Sequence, residues 1–355
     1  MTPKKQPKYN SYTIKHGDTI ESIAEKIGIH KDFVIRFHNM YAQQEQLISV
    51  EFPVNLKKLY ITPEFSEKEL DNIPKVNFVY DAKIDWKPSK KLLLYDINFT
   101  STVGEKAIVL TYQMGIQFIE KIQDGFLFEV SKPSPFEEVD NFDIMQELDN
   151  KVLDAIYPLQ VYVNNLGYCT SVANFETVKK RWESVKLILL DEFIGQHAID
   201  NINFYQSYFE NEIQFKKLLE NDVFLHVYFA GLYTNYTLGY YYENILDFPV
   251  IPNIKTADYK LSNYIEPYLH DSNQVIVERM GMLHDKRAKL DFEQNLSEPY
   301  FSLVDDNFEK AEGILNAKYT LDATTHSIKT VKFECTIALE QKRKIKCEIQ
   351  LVNSN

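Results

Sequence analysis

The side chains best suited to acid–base chemistry in this chain are its 8 histidines, and they are scattered. Two of them precede an aspartate, in His270-Asp271 and His284-Asp285, and look like acid–base pairs. Adjacent residues point in different directions on a helix or a strand, so neither pair aims both groups at one substrate. Both stretches are polar, which favours solvated loops. His226 lies in an aromatic run, which favours a hydrogen-bonded core residue over a base or a metal ligand.

Paired carboxylates could flank a glycosidic bond, one as the acid and the other as nucleophile or base. The candidates are the clusters Glu137-Glu138-Asp140 and Asp305-Asp306, whose spacing is that of ordinary surface charge. The chain lacks the Gly-x-Ser-x-Gly, His-Glu-x-x-His, Gly-x-Gly-x-x-Gly and Gly-Lys-Ser/Thr motifs. We therefore predict no catalytic residue, no metal ligand and no cofactor, and hence a protein that is not an enzyme.

The 3 cysteines do not have metal-ligand spacing. Cys335 and Cys347 fall on the same face of a predicted hairpin and could lie opposite each other. In a reducing compartment the favoured interpretation is two small core residues and no disulfide.

Charge and composition restrict the partners. Hydrophobic residues make up 45% of the 355 residues and charged residues 25%, as in globular proteins with a real core. Nearly all of the formal net charge of −12 lies outside residues 1–76. Because nucleic-acid phosphates and anionic membrane surfaces repel so acidic a body, we expect neither as a partner.

The N-terminus is basic, but no apolar segment and no cleavage site follow it. The best apolar run, Val185 to Leu190, which Lys186 interrupts, is far too short to span a bilayer. We therefore expect a cytoplasmic protein without a signal peptide and without membrane insertion. A secretion machine that needs no signal peptide could still deliver it outside the cell.

The elements that must position any site begin with a small module. Residues 12–15 alternate as a strand, and a turn through Gly17 leads to a helix that Asp18 or Thr19 can cap. A second helix and a strand at 58–62 follow. From the N-terminus, the chain is predicted to contain a polar tail at 1–9, the module at 10–63, a linker at 64–76, and a body at 77–355 with a candidate division into 77–173 and 174–355.

The body has the pattern of an antiparallel β-sheet with packed helices, so the fold class is α+β. Three C-terminal segments alternate apolar and polar residues, and this pattern predicts an antiparallel meander with one solvent-exposed face. Helices within 174–221 are the expected cover of its inner face. Asn174 is predicted to cap one of them, and an acidic helix is predicted at 136–155. The run 224–242 fits strands or a strand and a helix.

Residues 12–29, YTIKHGDTIESIAEKIGI, resemble the opening of a LysM domain, Y-T-V-x-x-G-D-T-L-x-x-I-A-x-x-x-G-V. His38-Asn39 is similar to the family's closing asparagine, and residues 59–63, LYITP, are similar to its final strand and proline. The segment between Met40 and Lys58 is longer than usual in the family. The resemblance implies a small βααβ LysM module of about fifty residues.

LysM modules bind glycans that contain N-acetylglucosamine, such as peptidoglycan, in a groove between two loops. Carried over by position, the resemblance implies a groove formed by the following residues: Gly17, Asp18, Thr19, Ile20, Asn39, Met40 and Tyr41. The same identities also fit a turn glycine, capping residues and a core isoleucine. The groove is thus predicted to bind either a glycan or a protein.

LysM modules without signal peptides recur in contractile phage tails, contractile injection systems and type VI secretion loci. The arrangement of a LysM module before an acidic α+β body resembles the LysM-containing adaptors of type VI systems. This resemblance implies a non-catalytic adaptor that docks an effector or a tail, spike or baseplate protein, with peptidoglycan as a second candidate ligand. The alternative is a peptidoglycan-targeted hydrolase or effector.

Overall fold

The computed structural model divides the chain into two compact units, Met1–Pro74 and Lys75–Asn355, called the module and the body below. The structure describes residues 9–27, 31–42, 46–48, 52–53, 56–61, 76–79, 82–133, 137–138, 144–237, 240–266, 269, 273–304 and 307–352. Apart from Tyr9 and Val76, the predicted tail at 1–9 and linker at 64–76 lie outside these residues.

The module has the predicted order of strand, helix, helix and strand. Its elements are β1 (Asn10–Thr13), α1 (Ile20–Ile27), α2 (Lys31–Tyr41) and β2 (Lys58–Ile61). The two strands pair antiparallel, with Tyr12 opposite Leu59. Apolar residues at helical spacing give α1 and α2 one apolar side each, and this side is buried. They build a core with the following buried members: Ile20, Ile23, Ala24, Val34, Ile48, Leu56 and Leu59.

The body is built on one antiparallel sheet, which has twelve strands in the described residues. The strands are β3 (Leu93–Val103), β4 (Lys106–Ile122), β5 (Gly125–Ser131), β6 (Glu137–Glu138), β7 (Leu159–Asn164), β8 (Cys169–Val172), β9 (Tyr241–Phe248), β10 (Ala257–Ile265), β11 (Gln274–Leu283), β12 (Glu312–Asp322), β13 (Ile328–Ala338) and β14 (Arg343–Leu351).

The strand order is β8-β7-β5-β4-β3-β14-β13-β12-β11-β10-β9, and β6 pairs with β4. The first and last strands of the body therefore lie side by side, and two meanders run outward from them. The sheet is continuous across the candidate division at residue 173, and that division stays a prediction. The α+β class, with a mostly antiparallel body, is confirmed.

Helices of the body connect and cover these strands. They are α3 (Ile144–Ile156), α4 (Phe175–Glu192), α5 (Gln196–Tyr208), α6 (Glu212–Leu219), α7 (Val223–Tyr228), α8 (Lys289–Glu293) and α9 (Phe301–Val304). In the described part of the chain, none of the helices combines the length and the apolar character needed to cross a bilayer.

The predicted C-terminal meander is confirmed as β12, β13 and β14, with alternating buried and exposed residues. Cys335 lies opposite Ile345, and Cys347 opposite Phe333. The two cysteines are therefore diagonal to each other and not directly paired. Both are free and buried, as expected of small core residues.

Two local predictions need correction, and one open alternative is decided. Helix α3 begins at Ile144 and not at Phe136, because Glu137 and Glu138 pair with β4 as β6. The run that periodicity left open forms helix α7 and then strand β9. Asn174 stands at the start of α4 without capping it, because its Oδ1 accepts the N–H of Gln160 at 2.9 Å.

The inner face of the sheet curves around α7. The Tyr95 hydroxyl on β3 lies 3.0 Å from that of Tyr228, and Tyr319 on β12 donates to the Val227 carbonyl at 3.0 Å. The rings of Phe248 on β9 and Phe333 on β13 are 4.6 Å apart, although three strands separate these two. The cover of the C-terminal strands thus includes α7, just beyond the range 174–221 in which it was expected.

Candidate functional site

The turn before α1 holds the first half of the predicted groove. Gly17 has a left-handed φ of +87°, and a Cβ there would meet nothing within 4 Å. The Asp18 carboxylate accepts the Lys15 N–H at 2.8 Å, the Tyr12 hydroxyl at 3.0 Å and the Lys26 ammonium at 3.0 Å. These donors, with the Lys15 N–H first, hold the pKa of Asp18 below its ordinary value. The Asp18 side chain is therefore held in the turn by hydrogen bonds within the module.

Thr19 and Ile20 have structural partners as well. Thr19 caps α1, because its Oγ1 accepts the Ser22 N–H at 3.1 Å while the Ser22 Oγ accepts the Thr19 N–H at 3.0 Å. Ile20 is buried in the module core. In this half of the predicted groove, only the main chain and Gly17 remain to contact a ligand.

The second half of the predicted groove is the end of α2. Asn39 donates from Nδ2 to the Ile48 carbonyl at 2.8 Å and accepts the Ile48 N–H on Oδ1 at 2.8 Å. The adjacent His38 is buried, and its Nδ1 accepts the Tyr60 N–H at 3.0 Å. Asn39 and His38 thus tie the chain after α2 and strand β2 to the helix. The Met40 side chain lies outside the described atoms.

Tyr41 belongs to a partly exposed aromatic face of the module, formed by Tyr9, Phe37, Tyr41 and Tyr60. The Tyr9 ring lies 5.1 Å from Tyr41 and 4.4 Å from Tyr60, and Phe37 lies 5.1 Å from Tyr41. Such rings can pack against apolar side chains or against the faces of sugars. The two predicted halves are joined through the shared core of α1 and α2.

The body carries an exposed apolar ridge at the end of α4 and the start of α5. Leu187 is 70% exposed and Ile194 is 95% exposed. Ile188, Leu190 and Ile199 are also exposed and lie within the same thirteen residues. The sequence signal was the run from Val185 to Leu190, which places apolar residues on every side of α4. One side packs inward through Leu189, and the rest must face solvent or a partner.

A cleft of about 570 Å³ opens in the body between β8, α6, α7 and β9. Its lining is mostly apolar, with charged residues among the rest. The residues that line it are Tyr168, Cys169, Thr170, Ser171, Val172, Glu212, Ile213, Lys216, Leu219, Glu220, Leu225, His226, Phe229, Leu246 and Asp247. Volume and lining are those of a site for a ligand or a short chain segment. Sequence patterns gave no sign of this cleft, because its walls are up to 79 residues apart along the chain.

Cys169 and His226 both line the cleft, but neither is activated for catalysis. Burial first, and then the Asp222 carboxylate, raise the pKa of the Cys169 thiol to about 12. The thiol is therefore protonated at neutral pH and a poor nucleophile. His226 donates from Nε2 to the Glu220 carbonyl at 3.0 Å. Asp222 caps α7 by accepting the Leu225 N–H at 2.9 Å.

The other chemistry-bearing residues fall elsewhere. The main-chain N–H of His284 donates to the Asp258 carbonyl at 2.8 Å, while the Asp285 side chain forms a buried ion pair with Arg287 at 2.8 Å. The structure therefore shows no contact that joins His284 and Asp285 as an acid–base pair among the described residues. The remaining predicted candidates lie outside the described residues or have side chains outside them: Glu137, Glu138, Asp140, His270, Asp271, Asp305 and Asp306. Within the described residues, His, Cys, Asp and Glu form no group of three or more placed for a metal ion.

No protein-family model matches this chain, and no curated protein matches it. A solved structure titled "Lipid-protein interactions in lipovitellin" aligns with 76% of this chain at 10% sequence identity and a TM-score of 0.39. The aligned part is 26% of that chain's own length. This likeness carries no argument about fold or function.

Proposed function

We propose that this chain is a non-catalytic adaptor whose LysM-like module and acidic body dock an effector or a tail, spike or baseplate protein of a type VI secretion or contractile injection machine. The LysM resemblance supports the kind of machine, and a cytoplasmic location belongs to the same proposal. The observation that carries the docking role is the exposed apolar ridge on α4 and α5.

The ridge is suited to a protein partner by its exposure and its surroundings. Burying one exposed Leu or Ile fully contributes about 1.5–3 kcal/mol, so Leu187, Leu190 and Ile194 together can anchor a partner. The exposed carboxylates Glu183 and Asp191 flank these residues. A complementary partner surface is therefore apolar at its centre and basic at its rim.

The module supports docking through its aromatic face. Asp18 and Asn39, the polar side chains that would recognise a sugar, already bond within the module. The aromatic face is partly exposed and can bind protein or stack on a glycan. Peptidoglycan therefore stays a second candidate ligand for the module.

The test is co-purification of the tagged full chain with identified spike or baseplate proteins from cells with an active secretion machine. Changing Leu187→Glu and Ile194→Glu together should lower recovery of the partner at least tenfold while leaving the melting temperature unchanged, because both side chains are exposed. The matched control is Met282→Glu with Leu303→Glu, at residues 66% and 77% exposed. Equal recovery with the ridge variant contradicts docking at the ridge.

Purified sacculi separate the adaptor from the alternative hydrolase. The full chain should release no muropeptides on prolonged incubation, whereas a hydrolase would release them. Retention on insoluble sacculi without release would identify the module's ligand as glycan. Release of muropeptides would overturn the non-catalytic function.

A further inference from the structure

The two edge strands of the sheet, β8 and β9, border the same cleft. Cys169 to Val172 line it as four consecutive residues of β8, and Leu246 and Asp247 as consecutive residues of β9. Successive side chains of a strand point to opposite faces, so consecutive lining residues mean that the strand's edge, with its main-chain groups, faces the cleft. Curvature of the sheet brings these edges near each other, and Asn244 of β9 donates to the Tyr168 hydroxyl at 3.1 Å.

Just before β8, the sheet edge is already paired by the chain itself through backbone hydrogen bonds. Ala230 forms an antiparallel bridge with Tyr168, just before β8. The Gly231 N–H donates to the Gly167 carbonyl at 3.3 Å, and the Tyr233 N–H donates to the Leu166 carbonyl at 3.0 Å. Residues 230–233 therefore pair with the edge residues 166–168, next to β8.

The position of this internal segment is closely determined. Gly231 has a φ of +71°, and a Cβ there would lie 2.0 Å from the Tyr168 ring. The buried Arg279 donates to the Ala230 and Gly231 carbonyls. A segment hydrogen-bonded to the sheet edge thus ends where the cleft begins.

Beyond that segment, no strand of the described residues lies between the two edges. There β8 pairs with β7 and β9 pairs with β10, and the further backbone bonds of β9 lie at its two ends, from the Tyr241 N–H to the Tyr236 carbonyl and from the Val250 N–H to the Phe248 carbonyl. We propose that the cleft binds an extended segment of a partner polypeptide as an added β-strand that continues the line of residues 230–233. This inference rests on the proposed adaptor function in one respect, since the bound segment belongs to the docked protein.

The residues that line the cleft indicate which side chains the bound segment should carry. Leu219, Leu225, Phe229 and Leu246 offer apolar contacts inside the cleft. At the exposed rim, the carboxylates of Glu212, Glu220 and Asp247 outnumber the ammonium of Lys216. The favoured segment therefore alternates apolar residues, which point inward, with basic residues at the rim. The four residues of β8 match about four residues of the segment.

The test uses the full chain and a pool of octapeptides in which Val, Ile, Leu or Phe alternates with Lys or Arg. Binding is measured by fluorescence anisotropy, and the best peptide is then compared with a copy N-methylated at alternate residues. N-methylation keeps the side chains but removes main-chain donors, so affinity should fall about tenfold or more if a strand is added. Equal affinity of the methylated peptide overturns strand addition.

Substitutions then place the binding in the cleft. Ile213 lines the cleft and is 73% exposed, so Ile213→Lys should weaken binding of the basic peptide about tenfold without loss of stability. The matched control, Met282→Lys on the outer face of the sheet, should bind as the parent does. Equal weakening in both variants, or none in Ile213→Lys, overturns the assignment to the cleft.

The outcomes also separate this inference from the proposed function. If no peptide of the pool binds while the ridge variant still loses its spike or baseplate partner, strand addition is wrong and the adaptor function stands. If peptides bind in the cleft but no partner is recovered with the parent chain, the adaptor function is wrong and the strand site stands.

Discussion

Among the described residues of the module, side-chain hydrogen bonds join groups at most 22 positions apart, whereas in the body several buried ones join groups more than 90 positions apart. Asp18 accepts the N–H of Lys15, three residues before it. By contrast, Arg279 on β11 donates to the carbonyl of Ala230, 49 residues away. Because of this difference, motif residues of the module act on local turns, while polar residues inside the body hold separate elements together. Substitutions should therefore affect the two units separately and to different extents.

The largest effect is expected for Arg279→Ala in the body. The variant leaves the buried Ala230 carbonyl without its donor, removes one of two donors to the Gly231 carbonyl and opens space below Tyr319, so the free energy of unfolding should fall by about 3 kcal/mol or more. Both tryptophans, Trp86 and Trp182, lie in the body, so fluorescence during urea unfolding reports on this unit alone. The control is Lys318→Ala on the exposed face of the sheet. A loss below 1 kcal/mol for Arg279→Ala would contradict the stated difference between the module and the body.

A smaller effect, confined to the module, is expected for Asn39→Ala. The loss of two hydrogen bonds to the Ile48 backbone should destabilise this unit by about 1–3 kcal/mol. Hydrogen exchange should accelerate in residues 46–61, while the tryptophan signal of the body stays unchanged. Asn39→Asp keeps the acceptor for the Ile48 N–H and should have an intermediate effect. Loss of sacculus binding by Asn39→Ala at unchanged exchange would instead support a direct role in a groove.

The smallest expected effect is the pH dependence of the turn at Asp18. Its folded pKa lies below the ordinary value of 3.8, first because of the Lys15 N–H and then because of the Lys26 ammonium. This stabilisation is present above pH 3.8 and is lost as the pH falls through the folded pKa. The amide shift of Lys15, followed by NMR, should titrate below pH 3.8 and should not titrate in Asp18→Asn. A midpoint at or above 3.8 contradicts the stated hydrogen bond.

Several elements were predictable because their signals are local. Ile20, Ile23 and Ala24 recur at helical spacing after a capping threonine, and the C-terminal strands alternate strictly. The start of α3 was not predictable, because Glu137 and Glu138 pair with β4, and no local pattern indicates that pairing.

The sequence by itself therefore determined the βααβ module, the α+β class and the C-terminal meander, since capping and periodicity act over a few residues. Its LysM resemblance named seven groove positions but did not show that Asp18 and Asn39 bond within the module. Only the tertiary structure decided that the sheet curves around α7 and that residues 230–233 pair with the sheet edge next to β8. Those features depend on contacts between residues such as Tyr95 and Tyr228, which are 133 positions apart. Contacts at such separations leave no periodic pattern in the sequence.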